Sequence, residues 1–288
     1  MNLDILQSFK LDDKSHDYRA SETILYALGL GYGSDPSDEH QLAFVYEEGL
    51  KAVPSMCNTI AHPGFWINRP ELGIDWVKVL HAEQAFEIHS PLPAEGRMRG
   101  AYSILSIEDK GAEKGAIMKM QKQLYDSESE NLLATVTQTL FLRGDGGQGG
   151  FGDPGPGLAP LPDAEPDMTI DISTVPQIAL IYRLSGDLNP IHASPSVARK
   201  AGFERPILHG LCTMGLAARA LLQGLCDGDP TRLRAMEVRF SKPVFPGETI
   251  RVEIYGKGET VRFRCRSVER DLVVLDRASA TIDGSSPN

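Results

Sequence analysis

Apolar and polar positions alternate, or run apolar with β-branched residues, in corresponding parts of the two halves of the chain. The early stretches are Met98–Ile107, Gly115–Tyr125 and Leu132–Leu142, and the late ones are Thr249–Tyr255, Thr260–Arg266 and Leu272–Leu275. A period of two with turn residues between predicts antiparallel strands in a meander, and Gly256-Lys-Gly258 is one such turn. Residues 203–222 behave differently. After Pro206 the apolar residues from Leu208 to Leu222 cover nearly every side of a helix, so that helix belongs inside a core. An apolar run, Ile178–Leu184, and a short helical stretch from Pro195 that stops at Gly202 precede it. Strands around a buried helix make an α+β chain.

The pattern repeats. Placing Ile24-Leu-Tyr-Ala-Leu28 over Leu180-Ile-Tyr-Arg-Leu184 gives an offset of 156, and the same offset sets Val53-Pro54 over His209-Gly210. Two copies of one unit are expected. Pro63-Gly64 interrupts the first copy's helix, which should be short or irregular. Between the copies, Gly144 to Pro166 is so rich in glycine and proline that it reads as a linker. The expected organisation is therefore 1–143, a linker at 144–166, and 167–288. A length of 288 residues accommodates two units of about 130 residues. The linker glycines lack a following helix or a Gly-Lys-Ser/Thr, so they are no nucleotide loop.

Candidate chemistry concentrates in the second copy. Asp187, Asn189 and His192 fall within six residues, and Pro190 and Pro195 keep an ordinary helix from running through them. A carboxylate, an amide and an imidazole on one shaped turn can hold and activate a water, although Asp and Asn in such a stretch also serve as turn residues. Gly210 opens the buried helix, where free N–H groups and the helix dipole favour a negatively charged oxygen. In the first copy the corresponding residues are Gly31, Gly33, Pro36 and Pro54, which supply neither the acid-base groups nor the N–H. Catalysis is expected from the second copy alone.

The strings Tyr182–His192, Arg205–Thr213 and Val238–Gly247, with Ile24–Gly31, Phe44–Glu48 and Val79–Gln84, resemble the (R)-specific enoyl-CoA hydratases of the MaoC-like group, of the two-repeat hydratase 2 type. The resemblance implies a double hotdog, in which each repeat has a central helix wrapped by a curved antiparallel sheet. It implies that Asp187 and His192 share acid-base work on trans-2-enoyl-CoA, with Asn189 orienting the water and Gly210 donating to the thioester oxygen. Substrate contacts carried over are His81, Ala82, Lys110 and Phe240. The relatives usually have His-Gly-Glu-Gln where this chain has His81-Ala82-Glu83-Gln84. Without the resemblance, His81 reads as a core histidine on an edge strand and Phe240 as an ordinary core aromatic.

Composition limits the alternatives. A net charge of -10 argues against nucleic acid, and a local rim drawn from Arg199, Lys200, Arg205, Arg219, Arg239 and Lys242 would have to meet the phosphates of coenzyme A. No apolar run approaches the roughly 18 residues of a membrane span. Four well-separated cysteines form neither a disulfide frame nor a zinc pattern, so no metal or other cofactor is expected. Unpaired thiols, no secretory signal and a Ser-Ser-Pro-Asn end unlike Ser-Lys-Leu predict a cytoplasmic enzyme. A homodimer is suggested by fold analogy only. The competing readings are an acyl-carrier-protein dehydratase, a non-catalytic thioester binder, and a metal hydrolase using Asp187, His192 and His209.

Overall fold

The structure is a computed structural model, and it describes residues 1–284; the Ser285–Asn288 end used above for targeting lies outside them. Ten strands run β1 Lys14–Tyr18, β2 Val79–Ile88, β3 Gly96–Asp109, β4 Ala116–Asp126, β5 Leu132–Leu142, β6 Met168–Ser173, β7 Leu233–Phe240, β8 Thr249–Tyr255, β9 Thr260–Ser267 and β10 Leu272–Ile282. They form one antiparallel sheet in the order β1-β3-β4-β5-β2-β7-β10-β9-β8-β6. Six helices accompany them among the described residues: α1 Leu3–Ser8, α2 Ala20–Leu28, α3 Glu39–Leu42, α4 Ile178–Tyr182, α5 Pro195–Lys200 and α6 Gly210–Leu225.

The six alternating stretches are all strands. β10 extends past the expected Leu275 because Ala278–Ile282 resumes the alternation after a bulge, at which Arg277 takes a φ of 50°. Less legible were β2 and β7, which form the seam between the copies through the register Glu83↔Arg239 to Glu87↔Ala235. The edge-strand reading of His81 is thereby corrected, since β2 is central and pairs with both β5 and β7.

α6 is the buried helix, with an uninterrupted run of buried residues from Cys212 to Leu222. Its counterpart in the first copy is a single 3-10 turn, Pro54–Asn58, which ends well before Pro63. The buried ammonium of Lys122 explains the early stop. It donates to the Cys57, Asn58 and Ile60 carbonyls at 2.7, 3.2 and 2.6 Å, which occupies acceptors that a longer helix would use. Burial also pushes the Lys122 pKa down to about 8.

Residues separated by the repeat offset meet one another. Tyr26 and Tyr182 approach with ring centroids 5.7 Å apart, Asn58 Nδ2 lies 3.9 Å from Met214 Sδ, and Arg239 Nε is 2.9 Å from Glu83 Oε1. Each pair is 156 residues apart, as an approximate two-fold axis between the copies requires. One hydrophobic core crosses that axis, joining Tyr26, Leu30 and Met56 to Cys212, Leu216 and Phe263. A smaller core lies where α1, Trp66 and Leu72 cover Met118, Leu140 and Leu142.

The Gly/Pro-rich segment is pinned to the sheet. Phe151 pairs with Ile107, and the Asp109 carboxylate accepts N–H groups from Gly111, Gly147 and Gly149 at 2.7–2.8 Å. A Cβ on Gly146 would sit 2.0 Å from the Gly111 carbonyl oxygen, so only glycine allows this approach.

Candidate active site

The apolar residues of α4 bury against α2, and the chain then leaves through a 3-10 turn closed by Gly186 at φ 119°. Beyond it, local hydrogen bonds shape the loop. The Asn189 N–H donates to Asp187 Oδ1 at 3.0 Å, and Asn189 Oδ1 accepts from the Ile191 N–H at 3.1 Å, capping the short 3-10 turn Pro190–His192. Asn189 thus shapes the turn that carries the histidine, and its carbonyl oxygen is engaged in that task.

The turn brings His192 Nε2 to 3.9 Å from Asp187 Oδ2. That gap is too long for a direct hydrogen bond and suits one oxygen placed about 2.8 Å from each atom. His192 Nδ1 lies 2.8 Å from the Ile207 carbonyl, so Nδ1 carries a proton and Nε2 presents a lone pair toward Asp187 in the neutral ring. Burial lowers the His192 pKa, opposed by the Ile207 carbonyl and by the charge on Asp187. Asp187 itself is half exposed, whereas the histidine side chain is almost covered.

His209, the N-cap of α6, completes the group, and the sequence reading gave it a role only in the metal alternative. Its ring stacks on His192 with centroids 3.7 Å apart, and its Nε2 lies 3.1 Å from the Asp187 backbone carbonyl. His209 therefore fixes the main chain of Asp187 and the ring plane of His192 together. Burial, then repulsion by His192, takes its pKa down to about 4. The signal available in the sequence was its position immediately before Gly210.

Asp187, His192 and His209 are the one group among the described residues with three potential metal-ligand atoms, all within 4.8 Å of one another. The arrangement fits a metal poorly. Stacked imidazoles hold their lone pairs side by side instead of aiming them at one point, and His209 directs Nε2 to a carbonyl.

Gly210 is the first residue of α6, and a Cβ there would lie 3.0 Å from the Phe240 ring. Phe240 in turn meets His81 edge to face at 4.7 Å. His81 is reached from the first copy, where a register shift between His81 and Glu83 places Ala82 at a bulge. His81 Nε2 contacts Gln84 Oε1 at 2.8 Å, and Gln84 Nε2 donates to Asn58 Oδ1 at 2.8 Å, continuing to the turn that Lys122 caps. Burial lowers the His81 pKa to about 4, opposed by its hydrogen bonds with Gln84 and Glu83 and by the charge on Asp187.

Gly210, Phe240 and His81 thus lie in a row of contacts that begins next to His209, the residue stacked on His192. Lys110 is elsewhere, after β3 and three strands from β2, in a groove of about 500 Å³ with Lys114, Arg143, Ile117 and Phe141. Two members of the proposed basic rim serve structure. Arg219 is buried and donates to the Leu30 carbonyl at 3.0 Å, and Arg239 is paired with Glu83.

Two family models cover most of the chain: "MFE-2 hydratase 2 N-terminal domain" over residues 16–144 and "MaoC like domain" over residues 158–278. The chain is 36% identical over 290 residues to "Enoyl-CoA hydratase 2, peroxisomal" of Arabidopsis thaliana, covering 95% of this chain and 93% of that one. It is 34% identical to "Peroxisomal multifunctional enzyme type 2" of Drosophila melanogaster, with 95% of this chain matched to 47% of that protein, so it spans about half of the multifunctional enzyme. A MaoC-like dehydratase structure from Phytophthora capsici superimposes with a TM-score of 0.88 at 34% identity, covering 99% of this chain and 100% of that one.

The expected cytoplasmic location is overturned by these matches. The names of these two relatives place them in peroxisomes and not in the cytoplasm. The thiol argument had no power to discriminate, because all four cysteines are buried in the core, where separation and packing keep them free in any compartment. The shared double-hotdog fold, the two family matches and the full-length similarity together establish that this chain belongs to the MaoC-like hydratase 2 family of hydro-lyases.

Proposed function

We propose that the protein reversibly adds water to trans-2-enoyl-CoA to give (3R)-3-hydroxyacyl-CoA, with Asp187 and His192 as the acid-base pair. The observation that carries this reading is the 3.9 Å space between Asp187 Oδ2 and His192 Nε2, sized for a single water. The thioester oxygen lies against the Gly210 N–H, where charge accumulating as C3 is attacked meets a fixed donor; losing such a donor costs roughly 100- to 1000-fold. The pair relays a proton: as the water oxygen bonds to C3, one member takes a proton from the water and a proton passes from the pair to C2, so the pair ends with the charge it began with. Each acid-base group contributes roughly 100- to 10,000-fold. His81, Ala82 and Phe240 line the approach of the acyl chain, and the groove with Lys110, Lys114 and Arg143 is offered to the phosphates of coenzyme A.

The test is loss of the conjugated-thioester absorbance on mixing purified protein with crotonyl-CoA or decenoyl-CoA, with the product configuration determined. Rapid formation of the (R) product, reduced at least about 100-fold in both Asp187→Asn and His192→Gln, is the expected result. An (S) product, or variants as fast as the parent, would overturn the assignment. Acyl-carrier-protein thioesters run in parallel identify the carrier.

A further inference from the structure

The alternation along β2 puts Gln84, Phe86 and Ile88 on its buried face, so the fold by itself would fill the first of these positions with an apolar residue. Gln84 instead buries an amide, next to the equally buried Asn58. An amide taken out of water costs free energy unless its polar atoms are paired, and here the pairing can run in one direction only.

That direction is set at one end. The Ser55 carbonyl can only accept, so the Asn58 amide turns its Nδ2 toward it, at 2.9 Å. Asn58 Oδ1 then needs a donor, which is Gln84 Nε2 at 2.8 Å. Gln84 Oε1 is left facing His81 Nε2 at 2.8 Å, so that nitrogen of the histidine must carry a proton. Gln138, 3.4 Å from the same nitrogen, is too far to compete. The Lys122 ammonium holds the start of the chain in place through the Cys57, Asn58 and Ile60 carbonyls. Burial keeps the His81 ring neutral, and its bond to Gln84 fixes the ring plane.

What that ring supports lies across the seam. The Phe240 ring meets His81 edge to face at 4.7 Å, and its atoms stand 3.0–3.4 Å from the place of a Cβ on Gly210. Gly210 follows His209, whose ring stacks on His192 at 3.7 Å. The Glu83–Arg239 ion pair, one residue from Gln84 and one from Phe240, holds β2 and β7 in register at this point.

We infer that Gln84 is a positioning residue for the reaction, which fixes the tautomer and plane of His81 and, through Phe240, the place of the thioester beside the Gly210 N–H. The inference rests on the hydratase reading above. An amide suits the task because it offers an acceptor and a donor at once without a charge. An ionised carboxylate would draw a second proton onto His81 and turn an acceptor on Asn58 Oδ1. The copy without acid-base residues thus contributes to catalysis by geometry.

The experiment compares Gln84→Met, which keeps the length of the side chain and removes both hydrogen bonds, with Gln84→Glu, whose carboxyl is kept protonated by burial and so can accept from His81 and donate to Asn58. Each is made in the parent and in a Phe240→Leu background. The measurements are kcat and KM with decenoyl-CoA, thermal unfolding, and nitrogen NMR of the histidine rings. Gln84→Met should lower kcat about tenfold with KM within about twofold, because the reacting carbons shift against the Gly210 N–H while the apolar contacts of the acyl chain persist. Gln84→Glu should recover most of the loss, and the loss should disappear in the Phe240→Leu background, as action through Phe240 requires. An unchanged kcat, a loss of equal size in both backgrounds, a Gln84→Glu as slow as Gln84→Met, or a loss matching the fraction of protein unfolded at the assay temperature would each overturn the inference. If the parent does not hydrate the thioester, the function assignment fails instead, and the NMR spectra still decide the positioning. His81 protonated on Nε2 in the parent and in mixed tautomers in Gln84→Met supports it; the same tautomer in both overturns it.

Discussion

His192 and Gly210 owe their usefulness to neighbours that fix one atom each. The Ile207 carbonyl decides which nitrogen of His192 is free, and the Phe240 ring occupies the place where a side chain on Gly210 would go. A methyl at Gly210 would need Phe240 to yield by several tenths of an ångström, and Phe240 is itself packed on His81. Gly210→Ala should therefore lower kcat by about tenfold through displacement of the acyl path, with little change in melting temperature because alanine suits a helix; steady-state kinetics and thermal unfolding check this. The dyad was legible in the sequence because Asp187, Asn189 and His192 are contiguous and two prolines announce the turn. The part His209 plays was less legible, because its stacking on His192 is set by the fold and only its place before Gly210 marked it.

The replacement of a first-copy helix by one 3-10 turn is an exchange of acceptors. Three carbonyls that would have accepted helical N–H groups accept the Lys122 ammonium instead. Lys122→Met would strand those carbonyls in the core, with an expected loss of about 1 to 3 kcal/mol in denaturant unfolding, and would loosen the Asn58–Gln84–His81 chain so that kcat/KM falls as well. Pro63-Gly64 foretold a short helix, but the place of its end was set by a lysine on β4, outside any local window. The six alternating strands were legible because one face of each is buried. The seam strands were harder, since β2 carries His81, Glu83 and Gln84 in its middle and such polar residues obscure a central strand. Arg219 misled in the opposite way: its charge suggested a surface contact, while its guanidinium is buried and ties α6 to the Leu30 carbonyl.

At the scale of the molecule, one core and several neutral histidines link folding to acidity. His81 and His209 are pushed down to about 4, chiefly by burial, and His192 is lowered for the same reason. Below the ordinary histidine value of 6.5 the unfolded chain takes up protons that the folded chain refuses, so stability rises with pH across the window from about 4 to 6.5. Urea unfolding at pH 5 should show a stability lower than at pH 7 by about 4 kcal/mol, roughly half of it from each of His81 and His209, and His81→Gln should shrink the difference accordingly. The double hotdog itself was foreseen from the repeat and the resemblance, and the contacts at the 156-residue offset give it a physical axis.

That axis bears on the difference between a fused pair and a pair of identical subunits. At a two-fold seam built from two copies of one chain, the residue on the axis meets itself, so a glutamate would face a glutamate and an arginine an arginine. Here the position is held by Glu83 on one side and Arg239 on the other, in register and in contact. Only two non-identical halves can place opposite charges there, and once they do neither half makes an equally good partner for a second copy of itself. The ion pair therefore acts against like-with-like assembly, and makes the two halves complementary surfaces instead of interchangeable ones.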